Sequence, residues 1–396
     1  MPLAIYMLGL AVFAQGTSEF MLSGLIPDIA RDMHVSIPAS GSLTSAFAAG
    51  MIIGAPLMAI LSLRWPRRRA LLIFLVVFLL AHVLGAVTTS FGVLLATRVV
   101  GALANAGFLA VGLAAATAMV GPDAKGRATS VLLGGVTIAC VAGVPAGAVL
   151  GQLWGWRSAF WAVAIVSVPA VIAILRSVPA TGPGSGSAET SARGELRSLR
   201  DPRLLVTLLL GALVNGATFC TFTYLAPLVT DVTGFGSGWV PAMLALFGLG
   251  SFVGVTAGGR MADTRPMPLL VAGGAALLAG WIVFAVTAGN PVATLVLVFV
   301  QGALSFAVGS TLISQALYAA TGAPTLAGGF ATAAFNVGAA AGPSFGGIAI
   351  GAGLGYRSPL WVSALLVALA LATAGVALGV RRGTANRREE APAPAR

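Results

Sequence analysis

The chain has 396 residues, of which 58% are hydrophobic and only 8% are charged, and its mean hydropathy is +0.98. Such a composition excludes an ordinary soluble domain and is typical of a membrane protein. The net charge of +11 would fit a nucleic-acid partner, but the basic residues are distributed as membrane topology requires. We therefore expect a lipid bilayer as the permanent partner of this chain and no nucleic acid.

Twelve apolar stretches of about 20 residues follow one another, and each is long enough to cross a bilayer as a helix. The first has no basic segment before it and is longer than the apolar core of a signal peptide, so we interpret it as a retained span. The predicted fold class is an all-α membrane protein with twelve transmembrane helices. Spans 1 to 12 are predicted at 4–27, 39–62, 70–88, 92–118, 128–151, 158–178, 204–229, 239–262, 268–288, 292–318, 325–350 and 359–380.

The basic residues are distributed unevenly between the two sides of the predicted membrane protein. Eighteen of the 22 Lys and Arg residues fall on the side that carries both chain ends. Only Arg31, Arg157 and Arg357 fall on the other side, and Arg98 lies within span 4. The positive-inside rule therefore places both termini in the cytoplasm.

The longest connection, 179–203, begins as a flexible Gly/Ser/Pro linker and ends as a basic segment beside the membrane. The two groups of six spans that it separates are repeats at a shift of 200 positions; GWRS at 155–158, for example, recurs as GYRS at 355–358. Because both halves have the same topology, the repeat is parallel, with its axis along the membrane normal. We predict six-helix bundles at 1–178 and 204–380, a cytoplasmic linker at 179–203 and a cytoplasmic tail at 381–396.

The spans are of three kinds. Spans 2, 5, 8 and 11 carry glycines at four-residue spacing, which suits either helices that rock on each other or static close packing. Spans 3, 6, 9 and 12 have few polar groups and fit a lipid-facing periphery. Spans 1, 4, 7 and 10 collect polar and aromatic residues, and we predict that these line a central cavity. The predicted lining residues are Gln15, Asn105, Phe108, Asn215, Phe219, Phe222, Gln301 and Ser305.

Glu19 is the acid on which the functional interpretation depends. An ionised carboxylate inside a membrane costs roughly 3 kcal/mol or more, so such a residue is a functional candidate by default. Counting along the helices places Glu19 and Arg98 at similar depths, about 12 and 9 Å from the same surface. They can pair directly or through a neighbouring amide, and the pair is either proton-coupling or purely structural.

Other ionisable residues are weaker candidates. For Asp28, a cap or a surface pair with Arg31 is favoured over a role in proton coupling. His82 lies in the middle of span 3 and is interpreted as a neutral, hydrogen-bonded structural histidine. Cys140 and Cys220 fall inside spans, which argues against a disulfide framework.

Several function classes are disfavoured by what the chain does not contain. With two histidines and two cysteines there is no metal-ligand cluster, and we expect no metal and no cofactor. There is also no clustered nucleophile and base, so an enzyme is not expected. No GxxxxGKS/T motif occurs, so ATP is not the direct energy source, and an ion gradient is the remaining candidate.

At this point the residues resemble a known family. Two parallel six-span halves, GTSEFMLSGLIPDIA in span 1, and GVPAG followed by GWRSAFW resemble the drug/proton antiporters of the major facilitator superfamily, and more narrowly the chloramphenicol-resistance exporters of actinobacteria. The resemblance implies proton-coupled export of a small amphiphilic drug, above all chloramphenicol, from a bacterial cell by a monomer in the cytoplasmic membrane. Protons and drug would compete through Glu19, with Arg98 and Asp28 as further coupling candidates.

The chain departs from the family pattern in the loop between spans 2 and 3. The family's acid and glycine are replaced there by Leu63 and Pro66, while the equivalent acid appears in the second half as Asp263. In span 4 the family's Gln-Gly after its arginine is replaced by Gly-Ala. The resemblance implies gating for Arg64, Arg67, Arg68 and Asp263, although capping of span 9 explains Asp263 equally well.

Two alternatives stay open from the sequence. One is efflux of a sugar or a nucleoside, and the other is a membrane sensor or scaffold that transports nothing. The phenylalanines predicted to line the cavity favour an aromatic drug over a polyol.

Overall fold

The structure, a computed structural model, describes residues 2–62, 65–121, 125–178, 201–262, 266–319 and 327–389. These residues contain twelve helices that are long and apolar enough to cross a membrane, so the predicted fold class is confirmed. The long helices are Leu3–Phe20, Ile37–Ser62, Arg67–Val87, Phe91–Ala118, Lys125–Ile138, Val144–Trp154, Arg157–Ser177, Pro202–Thr223, Val240–Ala262, Pro266–Thr287, Pro291–Ala319, Ala327–Ala349 and Ser358–Glu389. Lys125–Ile138 and Val144–Trp154 together form span 5, joined by a π-helical turn at Ala139–Gly143. The last one continues past residue 380, so the predicted tail begins as helix.

Spans 1 and 7 are interrupted at corresponding positions of the repeat. The α-helix of span 1 ends at Phe20, passes through a 3₁₀ turn at Met21–Gly24 and resumes as Ile26–Asp32. In span 7 the helix ends at Thr223, and the chain continues through short helical turns to Val232. Each break is next to a proline, which has no N–H to continue the hydrogen-bond ladder. In span 1 the helix end at Phe20 also leaves a carbonyl of its last turn, that of Ser18, available to a side chain of another span.

Each half packs around its own apolar core. One cluster of buried side chains runs from Ile5 to Val178 and lies entirely in the first half. A second cluster runs from Val214 to Ala370 and takes in only a few side chains of the first half, among them Ala48. The molecule is thus built as two helical bodies, which contact each other mainly through spans 2 and 11 and through spans 5 and 8.

We call the side of the bundle that carries the chain ends the terminus face and the opposite side the far face. Between mid-depth and the far face, Ser45 of span 2 donates its hydroxyl to the Ala340 carbonyl of span 11 at 2.8 Å. Nearer the far face, Gln152 of span 5 donates to the Ser237 carbonyl at the start of span 8, at 2.5 Å. These contacts hold the two halves together on the side remote from the chain ends.

Tyr224, at the break in span 7, is inserted between the halves. Its hydroxyl donates to the Pro343 carbonyl of span 11 at 2.9 Å, and the side chain is almost fully buried. The same hydroxyl lies so close to Gly41 of span 2 that a Cβ added there would be 2.2 Å away from it. A side chain at this position would therefore displace the Tyr224 ring from its place between the halves.

The glycine stripes pack helices within the halves. A Cβ added at Gly254 of span 8 would lie 2.1 Å from the Ala303 carbonyl oxygen of span 10. One at Gly342 of span 11 would lie equally close to the Gly216 carbonyl oxygen of span 7. Of the two interpretations that the sequence left open, these contacts favour close packing of helices inside each body.

We expect Gly254→Ala to lower the thermal unfolding midpoint of the detergent-solubilised protein. The added methyl group meets backbone that cannot move aside, and overpacking of this kind costs about 1–3 kcal/mol. Gly375→Ala is the matched control, since a Cβ at Gly375 of span 12 would have no neighbour within 4 Å. There the higher helix propensity of alanine should leave the midpoint unchanged or raise it. Equal midpoints for the two variants would contradict the packing assigned to Gly254.

Candidate functional site

Glu19 lies in the last turn of the span 1 α-helix, one residue before the break at Phe20. Its side chain is half-buried, and within the described part of the chain its carboxylate takes part in no hydrogen bond and no ion pair. Gln15, one turn earlier on the same face, is buried, and neither its amide nitrogen nor its oxygen has a hydrogen-bond partner among the described residues. Two polar groups therefore stand next to each other with their bonding capacity unused.

Arg98 is held on span 1 without pairing with the acid. It is 1% exposed, and it donates from Nη1 to Ser18 Oγ and from Nη2 to the Ser18 carbonyl, both at 2.8 Å. Its guanidinium also lies over the Phe47 ring, 4.4 Å from the centroid. The predicted direct Glu19–Arg98 ion pair is not formed in this structure, because the helix break provides the guanidinium with another acceptor.

His82 of span 3 completes this arrangement. Its Nε2 lies 2.6 Å from Ser18 Oγ, and its Nδ1 lies 2.7 Å from the Phe78 carbonyl oxygen. The carbonyl can only accept, so Nδ1 carries the proton and Nε2 accepts from the serine hydroxyl. This geometry agrees with the neutral, hydrogen-bonded histidine inferred from the sequence, but it also links His82 to Arg98.

An aromatic cavity lies between the halves beside Glu19. Its free volume is about 10 Å³, room for about one water molecule. Five phenylalanine rings form a continuous series with centroid separations between 4.7 and 6.3 Å. The lining residues are Phe20, Cys140, Thr218, Phe219, Phe222, Phe247, Gly248, Ser251 and Phe306. Glu19 is not among these lining residues, but it directly precedes Phe20, which is.

Of the predicted substrate-binding residues, Phe219 and Phe222 line the cavity. The sequence reasoning missed Phe20, Phe247 and Phe306. Phe247 lies in span 8, which the sequence pattern assigns to glycine packing, and Phe306 directly follows the predicted lining residue Ser305, which was a usable signal.

Two predicted lining residues lie elsewhere. Phe108 is fully buried in the core of the first half, because ten residues at 3.6 per turn rotate it about 80° away from the Arg98 face. Gln301 is fully buried and donates to the Leu277 carbonyl of span 9 at 3.2 Å, so it faces the interior of its own half. For these two positions the expectation of a cavity lining is corrected.

The remaining predicted polar residues are buried or bonded between helices. Asn105 is buried and donates to Met51 Sδ at 3.6 Å, and Asn215 donates to the Phe335 carbonyl at 2.7 Å. Ser305 is buried, and its hydroxyl has no partner among the described residues.

Charged residues away from the cavity have local partners. Asp28 forms an ion pair with Arg31 at 3.3 Å on the far face, which is the surface pair that the sequence favoured. Arg68 donates to the Leu175 carbonyl and so joins spans 3 and 6. Arg67 begins the span 3 helix and is half-buried. Arg64 and Asp263, the other two residues expected to gate, lie outside the described residues.

The GWRS motif forms a clamp on the far face of the first half. Asp32 accepts from Arg157 and from Trp156 Nε1, and these hydrogen bonds hold the pKa of the Asp32 carboxyl below its usual value. Arg157 also donates to the Thr88 carbonyl at 3.1 Å. The clamp joins the far-face ends of spans 1, 3 and 6, and it gives Asp32 and Arg157 a structural role there.

Two six-helix bodies with buried charge and an aromatic cavity between them define a class of membrane transporter, and the comparison with family models agrees. Residues 8–328 match the model of the Major Facilitator Superfamily, and the chain belongs to that family. The fold of a bacterial homologue of the human lysosomal transporter Spinster, solved in an inward-facing and occupied conformation, matches with a TM-score of 0.76 at 17% identity. That match covers 99% of this chain and 98% of the other.

Several relatives share a higher sequence identity with this chain. The chain is 57% identical over 380 residues to a chloramphenicol resistance protein of Streptomyces lividans, covering 94% of this chain and 96% of that one. It is 36% identical over 366 residues to the inner membrane transport protein YdhP of Escherichia coli, covering 92% and 93%. A chloramphenicol efflux pump of Mycobacterium tuberculosis is 30% identical over 348 residues, covering 86% and 84%. The predicted resemblance is thereby confirmed.

The two cysteines provide a test of the cavity. Cys140 lines it and is partly exposed, whereas Cys220 is fully buried and directed at the Pro359 carbonyl. We expect N-ethylmaleimide to modify Cys140 at least about ten times faster than Cys220, because thiol reactivity follows access. Timed labelling of the native protein followed by peptide mass spectrometry measures both rates. Cys140→Ser should leave only the slow reaction, and faster labelling of Cys220 would contradict the placement.

Proposed function

We propose that this chain is a proton-coupled antiporter that exports a small, uncharged amphiphilic drug, chloramphenicol in the first place, across a bacterial cytoplasmic membrane. The observation that carries the proposal is Glu19: its carboxylate has no partner among the described residues, and it directly precedes Phe20 in the lining of an aromatic cavity between two helical bodies. Chloramphenicol is named because two relatives that cover most of the chain are chloramphenicol resistance or efflux proteins.

The cavity has the chemistry that such a drug requires. A nitrophenyl ring stacks favourably on phenylalanine faces and edges, and five such rings are arranged in series here. Thr218 and Ser251 line the cavity, and because their own protons go to the Val214 and Gly248 carbonyls, they can accept hydrogen bonds from the drug's hydroxyl and amide groups. This combination of an apolar lining with few polar groups is typical of small-molecule sites.

The free volume implies a moving structure. A drug-sized ligand needs a cavity of about 300 Å³ or more, far above the 10 Å³ found here. Because contacts such as Ser45–Ala340 and Gly41–Tyr224 close the far face, separation of the halves on the terminus face would open the cavity first. With the termini in the cytoplasm by the positive-inside rule, drug enters from inside and leaves through the far face. The name of the inner membrane relative from Escherichia coli fits this location.

Glu19 supplies the coupling in this proposal. In a closed, dry cavity its ionised form is costly, so it takes up a proton; when water or a drug reaches it, the proton can be released. Proton and drug would then occupy the site alternately, and the inward proton gradient would drive the drug outward.

Glu19→Gln should abolish coupled export, because an amide can neither bind nor release a proton. We expect intracellular chloramphenicol in cells with the variant to equal that in cells without the protein, with normal amounts of the variant in the membrane. Wild-type cells should lose their low accumulation when an uncoupler is added.

Asp28→Asn is the matched control for this experiment, since Asp28 is paired on the far face. It should pump like the wild type. Intact pumping by Glu19→Gln together with failure of Asp28→Asn would transfer the coupling role to Asp28.

Exchange of one proton for one uncharged drug moves net charge, so membrane potential should drive it. A potential of 100 mV contributes roughly 2.3 kcal/mol per charge moved. In proteoliposomes at equal pH on both sides, an imposed potassium diffusion potential should therefore move chloramphenicol against its gradient. No response to the potential would show that the exchange is electroneutral.

A further inference from the structure

We propose that His82 is a positioning residue for the coupling site: through Ser18 it holds the Arg98 guanidinium on span 1 and keeps it from pairing with Glu19. The inference rests on the proposed function of Glu19 as the proton carrier. It concerns a buried group that no step of the transport cycle described above uses.

With a neutral His82, the direction of every hydrogen bond in this network is fixed. Arg98 has only donors, so Ser18 Oγ and the Ser18 carbonyl must accept from it. The Phe78 carbonyl has no proton to give, so His82 Nδ1 donates to it and Nε2 is left as an acceptor. The serine hydroxyl therefore donates to Nε2 and turns its lone pairs towards Arg98.

The three side chains of this network are buried, so water cannot replace a hydrogen bond that is lost between them. Ser18 is 0% exposed, His82 2% and Arg98 1%. If residue 82 had no acceptor, the serine hydroxyl would lose its partner where no water can replace it, and it would reorient towards another carbonyl. Hydrogen bonds in such a chain polarise one another, so loss of the bond from Ser18 to residue 82 would also weaken the hydrogen bond between Ser18 and Arg98.

A released guanidinium would turn to the nearest strong acceptor. Carboxylates bind guanidinium groups more strongly than neutral oxygens do, and Glu19 follows Ser18 directly in the sequence. The titratable groups near the carboxylate, among the described residues, are Arg98 of span 4 and Cys140 of span 5, with His82 of span 3 behind Arg98. Of these, only Arg98 carries a charge that can stabilise the ionised acid.

The consequence is a change in the proton affinity of Glu19. A cation within 4–6 Å of a carboxylate shifts its protonation midpoint downward by about 1–3 pH units. By holding Arg98 elsewhere, His82 and Ser18 keep Glu19 able to accept a proton. Without them, the acid would stay ionised and paired, and coupling would fail although both charged residues are intact.

The test follows the protonation of Glu19 directly and without drug. The full-length protein in lipid nanodiscs is titrated, and the infrared band of the protonated carboxyl is recorded with Glu19→Gln as the blank. We expect His82→Leu and Ser18→Ala each to move the midpoint down by about one pH unit or more. His82→Gln, which keeps an acceptor for the serine hydroxyl, should stay near the wild type.

Two controls distinguish a positioning role of His82 from a general loosening of the helix packing. Ser167→Ala removes a buried hydroxyl of span 6 whose one partner among the described residues is the Val163 carbonyl of its own helix, and its midpoint should not move. The double variant His82→Leu/Ser18→Ala should shift no further than either single variant, since both cut the same chain of bonds.

Unchanged midpoints in His82→Leu and Ser18→Ala would overturn the inference, and so would an equal shift in Ser167→Ala. If His82→Leu does not reach the membrane, Ser18→Ala decides alone. The drug-accumulation experiment keeps the two proposals distinguishable. Loss of pumping in Glu19→Gln with no midpoint shift in Ser18→Ala rejects only the role of His82. A shifted midpoint with intact pumping by Glu19→Gln rejects the proposed function.

Discussion

Inside the hydrocarbon layer a polar group must find its partner within the protein, because no water is available to replace one. The break in span 1 creates such a need, since Ser18 is in the last turn of a helix whose final carbonyls lack regular partners. Arg98 meets that need, and Glu19 then has no counter-ion within the described part of the chain. The properties of the whole site therefore depend on the choice of Ser18, and not Glu19, as the acceptor for the Arg98 guanidinium.

The same constraint shapes the contact between the two bodies. Their interface near the far face uses a few hydroxyl and amide groups with assigned acceptors, together with backbone approach at glycine. Tyr224 combines both features, because its hydroxyl bonds within one half while it presses on Gly41 of the other. Such an interface packs closely but contains few polar contacts between the halves.

The aromatic cavity depends on the helix breaks as well. Phe20 is the last residue of the first span 1 helix, and it is the one ring of the series contributed by the first half. The other four rings come from spans 7, 8 and 10. The acid and the adjoining ring therefore belong to one body, and most of the apolar lining belongs to the other. Movement of the halves would change the surroundings of Glu19 and the shape of the cavity together.

Prediction from the sequence succeeded where a property belongs to one helix. The twelve spans follow from apolar length, and the shared face of Gln15 and Glu19 follows from helical periodicity. Prediction failed where packing against neighbouring helices determines the surroundings of a side chain. Phe108 was placed on the cavity because Arg98 and Asn105 were, yet a rotation of about 80° carries it into the core. Phe247 was overlooked because its span was interpreted through its glycines.

The amino-acid sequence by itself determined the number of spans, the parallel repeat and the presence of a lone acid in the first span. Hydropathy and periodicity are local quantities, and a bilayer leaves the helix as almost the only local solution. The tertiary structure decided which acceptor Arg98 uses, which rings meet between the halves and which face is closed. Several partners were chemically adequate for each group, and only the relative rotation and depth of packed helices selects among them.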